Sequence, residues 1–134
     1  MITSIRHGFA IVTFLAFAAA APVAAQGVVL KNKAVVLFGE ASNCSKPATV
    51  DIEKVAEKTP EYREIQAQGL SEDSARYKLL INAMLKRIKE ACKAVAEDEG
   101  NDLVVRQGDI SNAKGLTESD LTTKVVDYVE KNAK

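Results

Sequence analysis

Residues 90–110 read EACKAVAEDEGNDLVVRQGDI. Ala91 and Val95 continue a helical apolar row, Gly100 breaks it, and Leu103–Val105 form a short apolar strand. A long charged helix thus passes one glycine and drops straight into a sheet. Upstream, its apolar seam runs Tyr77, Ile81, Met84, Ile88, Ala91 and Val95, at alternating gaps of four and three. The other face carries Lys, Arg and Glu. Ser71, followed by Glu72 and Asp73, is the expected N-cap, which places this helix from Ser71 to about Asp98.

The preceding segment, IEKVAEKTPEYREIQAQG (52–69), has the same period, with Ile52, Val55, Thr59, Tyr62 and Ile65 on one face. Pro60 cannot sit in an undisturbed helix, so either Thr59 caps a new helix with Pro60 at its first position or the helix kinks there. Gly69 ends it. The two runs, residues 52–98, form an antiparallel helical hairpin with its tip at Gly69–Ser71 and a seam of Ile52, Val55, Tyr62, Ile65, Tyr77, Ile81, Met84, Ile88 and Val95. Residues 48–51 (ATVD) and 102–105 (DLVV) are strands at its base. Residues 109–111 (DIS) pair back after a turn at RQG, NAKGLTES is loop, and Asp120 or Thr122 caps a last helix with Leu121, Val125 and Val129 inward. In the segment 28–46, Val28–Leu30 and Ala34–Phe38 read either as a weak hairpin or as an extended arm on a sheet edge. The fold class is α+β: a small β-sheet body, a short helical hairpin and a C-terminal helix.

The N-terminus is an address. Arg6 and His7 precede fourteen uncharged residues, Gly8–Ala21, and Val23 and Ala25 stand at the positions a signal peptidase reads. The apolar core is shorter than the ~20 residues needed to span a bilayer. Residues 1–25 are therefore expected to be a cleaved secretory signal rather than a stable membrane anchor, leaving one domain at 26–134 in the periplasm. Without Arg6, seventeen basic residues stand against eighteen acidic ones, a balance that argues against nucleic acid as partner. Cys44 and Cys92 are the only cysteines. In an oxidising compartment they are most simply read as one disulfide, the alternative being two unpaired thiols with Cys92 a small apolar residue beside the seam.

Beyond the leader there is no histidine, which removes Ser-His-Asp and Cys-His chemistry. No phosphate-cradling glycine motif and no metal-ligand spacing is present, and no cofactor is expected. The acidic run EDEGND (97–102) lacks the spacing of a calcium loop and reads as a helix end. An enzyme is not expected.

Three blocks carry a resemblance. VDIEKVAEKTPEY (50–62), IKEACKAVAEDEGNDLVV (88–105) and DLTTKVVDYV (120–129), in that order, resemble the Skp/OmpH family of periplasmic chaperones and cover most of residues 47–131. The resemblance implies a β-rich body that assembles as a trimer, projecting helical arms around unfolded outer-membrane proteins. Here only residues 63–86 separate the two ends of the hairpin, so most of the arm is missing, and residues 28–46 are extra. The expected function is a periplasmic Skp-like chaperone that binds unfolded or outer-membrane proteins, weakened by its short arm. The alternative is a non-enzymatic, oligomeric structural or adaptor protein of the envelope. Homo-oligomerisation is expected on either reading, because a few short strands leave open edges and apolar faces.

Overall fold

The computed structural model describes residues 27–133; the secretory signal expected at 1–25 lies outside them. In chain order the elements are β1 (Val29–Leu30), β2 (Val36–Gly39), a short 3-10 turn (Ala41–Asn43), β3 (Pro47–Val50), α1 (Ile52–Ala56), α2 (Pro60–Gln68), α3 (Ala75–Glu99), β4 (Leu103–Arg106), β5 (Ile110–Asn112), β6 (Ser119–Asp120) and α4 (Thr122–Lys131). The fold is α+β.

The main sheet has the order β2-β4-β3-β6. At its centre β3 and β4 run parallel, with Pro47 opposite Leu103 and Val50 opposite Arg106. Parallel neighbours cannot be joined by a tight turn and need a crossover. Here the crossover is the helical hairpin. Both strands are buried along nearly their whole length, which is why they read as unbroken apolar runs instead of alternating ones.

The joints of the hairpin follow from local chemistry. Asp51 caps α1 by accepting from the Lys54 N–H at 3.3 Å. Thr59 accepts from the Tyr62 N–H and donates its hydroxyl proton to the Ala56 carbonyl at 2.6 Å, so one buried side chain ends α1 and starts α2, with Pro60 at the first position. Gly69 takes the left-handed conformation that closes α2. α3 starts later than expected. The Ser71 hydroxyl is spent on the Asp73 N–H and its carbonyl on the Ser74 N–H, so residues 71–74 form a turn, and Ser74 caps the helix by accepting from Tyr77.

The strands before β3 do not form a hairpin with each other. β2 adds to the edge of the main sheet, antiparallel to β4, while β1 pairs with β5 as a separate ribbon. β5 correspondingly pairs with β1 and not back onto β4. Gly39 makes the close approach of β2 possible: its φ is +80°, and a Cβ there would lie 2.0 Å from the Asp102 carbonyl oxygen. β6, within a stretch expected to be loop, joins β3 in parallel through its backbone. Neither Asp120 nor Thr122 is the N-cap of α4: that position falls to Leu121, which has no capping side chain, and the two polar residues instead anchor the helix start. Asp120 accepts from the Thr122 N–H and hydroxyl, and the Thr122 Oγ1 accepts from the Asp51 N–H, fastening the start of α4 to the end of β3.

The sheet has two covered faces. Ala48, Val50 and Val104 point to α1, α3 and α4 and join Val55, Ile88, Val95, Val125 and Val129 in the main core. Leu103 and Val105 point the other way, into a smaller cluster with Val28 and Cys44, flanked by Leu30, Ala41, Ile110 and Leu116. The extra segment 28–46 is what covers this second face.

That division corrects the expected disulfide. Cys92 lies in the helix-side core and Cys44 in the cluster across the sheet, so the sheet separates them and both are buried free thiols. Burial pushes both thiols up to about 12. The Cys44 Sγ donates to Asp102 Oδ1 at 3.2 Å, which raises it further. Asp102 also accepts from the Ser45 N–H and hydroxyl, both at 2.8 Å, and from the Lys46 N–H at 2.9 Å. Burial raises this carboxyl, but the four donors outweigh burial and hold it at about 2. Asp109 is displaced in the same direction: burial again opposes, and the Val35 N–H and Arg106 prevail.

Two outcomes are expected. Unfolded without reductant, the protein should present two alkylatable thiols per chain, and folded it should present almost none. Failure to titrate thiols until reductant is added would establish the disulfide. Asp102→Asn should cost about 1–3 kcal/mol at neutral pH through lost charge-assisted bonds. Because the folded carboxyl sits near 2, below the ordinary 3.8, its contribution is complete above about pH 4 and fades towards about pH 2. Chemical denaturation across that window should therefore show a shallower acid loss for the variant than for the parent.

Candidate binding groove

Of the nine predicted seam residues, Val55, Met84, Ile88 and Val95 belong to the main core, with Ile52, Tyr62 and Ile81 packed against it. At the arm end, Tyr62, Ile65, Tyr77, Ile81 and Met84 line a groove of about 440 Å³ between the α1–α2 elbow, α2 and α3. Ile65 and Met84 are buried as its floor. Tyr62, Tyr77 and Ile81 are only partly buried, and Leu70 from the tip joins them.

Leu80, one position before Ile81, is buried where the strict heptad expected no core residue. Ion pairs join the helices beside the groove. Arg87 grips Glu61 from two directions, with Nε 3.0 Å from both carboxylate oxygens and Nη2 2.9 Å from one of them. Its Nη1 reaches the Asn132 carbonyl at 3.4 Å, so one guanidinium joins α2, α3 and the end of α4. Both partners are largely withdrawn from solvent, and the fork geometry is the one in which Arg–carboxylate pairs are strongest. Nearer the tip Arg76 pairs with Glu64. Neither pair was legible in the sequence, since Glu61 and Arg87 are far apart along the chain.

The rim of the groove carries Glu53, Glu57 and Glu72, and no lysine or arginine lines it. Among the described residues, none of these three glutamates has an ion-pair partner. A larger cleft of about 690 Å³ lies at the opposite end, between residues 115–121 and the close of α3. Its charges are largely occupied with one another: Lys124 pairs with Glu99, and Asp120 is held by Thr122. The acidic run 97–102 is likewise dispersed, Glu99 turning to α4 and Asp102 to residues 44–46. The groove is thus the place where apolar side chains and uncompensated charge meet. It can hold a few apolar or aromatic side chains from another molecule.

Arg87→Met should loosen the arm against the body. It strips Glu61 of its partner in a partly buried setting, and about 1–3 kcal/mol of stability should go with it. Urea unfolding read by helical circular dichroism measures the loss, and an unchanged midpoint would mean that the clamp is dispensable. Comparisons of the chain with family models, with curated proteins and with solved structures find no match.

Proposed function

We propose that the protein is a short-armed periplasmic chaperone of the Skp/OmpH kind. It would bind unfolded or outer-membrane proteins a few side chains at a time in the groove of its hairpin. The observation that carries this reading is the groove itself. Tyr62, Tyr77 and Ile81 stand at seam positions yet remain partly exposed, while Ile65 and Met84 are buried beneath them and the Arg87–Glu61 clamp ties α2 to α3. Half-exposed aromatic and aliphatic side chains in a concave setting are what a transient apolar ligand needs.

The arm limits what can be held. α2 has nine residues, about 13 Å of helix, and α3 rises above Ile88 by about 20 Å. Such an arm shields a short segment and not a whole barrel protein. Self-association, as a trimer in the family's manner, belongs to the same proposal, though its motive is narrower than expected. The β1–β5 ribbon and the turn around Cys44 cover the second sheet face, so the main sheet offers a second chain its β2 and β6 edges and no apolar face.

Dilution of a denatured outer-membrane protein into buffer, with and without the mature chain, tests the reading. Turbidity should fall partially and in proportion to chaperone excess, and light scattering should find no complex holding one whole client per assembly. Stoichiometric capture would show that arm length is no limit. No suppression at any excess would remove the chaperone and leave the adaptor. The mass of the free protein in the same measurement gives its assembly state.

A further inference from the structure

The groove has a sign as well as a shape. Its floor of Ile65, Ile81 and Met84 is neutral, and its rim of Glu53, Glu57 and Glu72 comes from three different segments: α1, the α1–α2 elbow and the tip turn. These carboxylates line one opening, and among the described residues no cation answers them there. The basic residues of the arm do not line the groove. Arg76, Arg87 and Lys54 are paired with Glu64, Glu61 and Asp51, and Lys58, Arg63, Lys78, Lys86, Lys89 and Lys93 are exposed outside it. Like charges held around an apolar opening repel one another, and that repulsion is relieved when an opposite charge arrives with the ligand.

We propose, resting on the groove reading above, that this site selects cationic amphipathic segments: stretches in which one or two apolar or aromatic side chains adjoin lysine or arginine. The apolar side chain enters between Tyr77, Ile81 and Met84. The flanking ammonium or guanidinium groups meet the glutamates at the rim. An apolar segment flanked by acidic residues is rejected, because it would add negative charge to an opening that already holds three carboxylates. Selection of this kind is a difference of affinities, built as much from the repulsion of the wrong ligand as from attraction of the right one.

The chain contains no tryptophan, so a single tryptophan in a peptide reports binding without interference. Three peptides share one apolar core containing that tryptophan and differ only in their flanks, which are lysine, serine or glutamate. Titrated against the mature protein at low salt, the lysine-flanked peptide should bind on the order of tenfold tighter than the glutamate-flanked one. The triple substitution Glu53→Gln, Glu57→Gln, Glu72→Gln should erase most of that ratio while the serine-flanked peptide keeps its affinity. These positions are at the surface, and helical circular dichroism confirms that the variant folds. Ile81→Asn, by contrast, should weaken all three peptides alike and leave the ratio standing. Equal affinity of the three peptides for the parent protein overturns the charge selection and spares the groove. Absence of binding by all three overturns the groove and the selection with it. A concentration-dependent mass of the free protein that the triple substitution disperses would mean that a second copy fills the groove, and would overturn the proposal in favour of self-assembly.

Discussion

The parallel pairing of β3 with β4 is the constraint from which the rest of the architecture follows. Two adjacent parallel strands force the chain to leave the sheet at one end and return at the other. In this protein the excursion is α1, α2 and α3. The lower half of α3 lies on the sheet and buries Ile88, Ala91, Cys92, Val95 and Ala96. Its upper half has left the body, and there the seam opens into a groove. One helix thus serves as core element and as arm, and the change of role falls near Arg87, where the clamp to Glu61 and to the end of α4 sits.

The same pairing makes both faces of the sheet apolar, since β3 and β4 bury residues of both parities. One face is met by helices. The other is met by the ribbon of β1 and β5 and by the turn around Cys44, fixed by the Asp102 carboxylate at the mouth of β4. Asp102 thereby gathers the backbone of Ser45 and Lys46 just before β3 begins. Polar groups that fix a chain crossing at a strand entry are worth more than their individual bonds suggest, because the register of two strands depends on them.

Local signals in the sequence were reliable where the cause was local. The Thr59-Pro60 joint, the stops at Gly69 and Gly100, and the two central strands all arise from residues within a turn or two of one another; the strands, expected at 48–51 and 102–105, lie within one residue of that, at 47–50 and 103–106. Pairing partners were not legible. Nothing in VVL or DIS says that β1 will seek β5, and the two-residue β6 has no compositional signature. The choice between Ser71 and Ser74 as cap depended on how the tip turn spends its hydroxyls. The cysteines misled because the expected compartment and the count favour a bond, whereas the sheet stands between the two thiols and keeps them in separate clusters. Within the groove, the seam named the right side chains but not their exposure, which depends on Leu80 and on ion pairs spanning many residues.

One consequence follows from the tip, residues 69–74. Its exposed turn joins two antiparallel helices beyond the last body contacts, and both strand ends are anchored far below it. Matched additions to α2 and α3, in whole seam repeats, would leave the sheet, its register and the Arg87 junction untouched. The hairpin therefore behaves as a telescoping mast on a fixed mount. Reach is set by the number of repeats inserted at the top, so proteins sharing this mount could differ greatly in arm length without any change in their foundations.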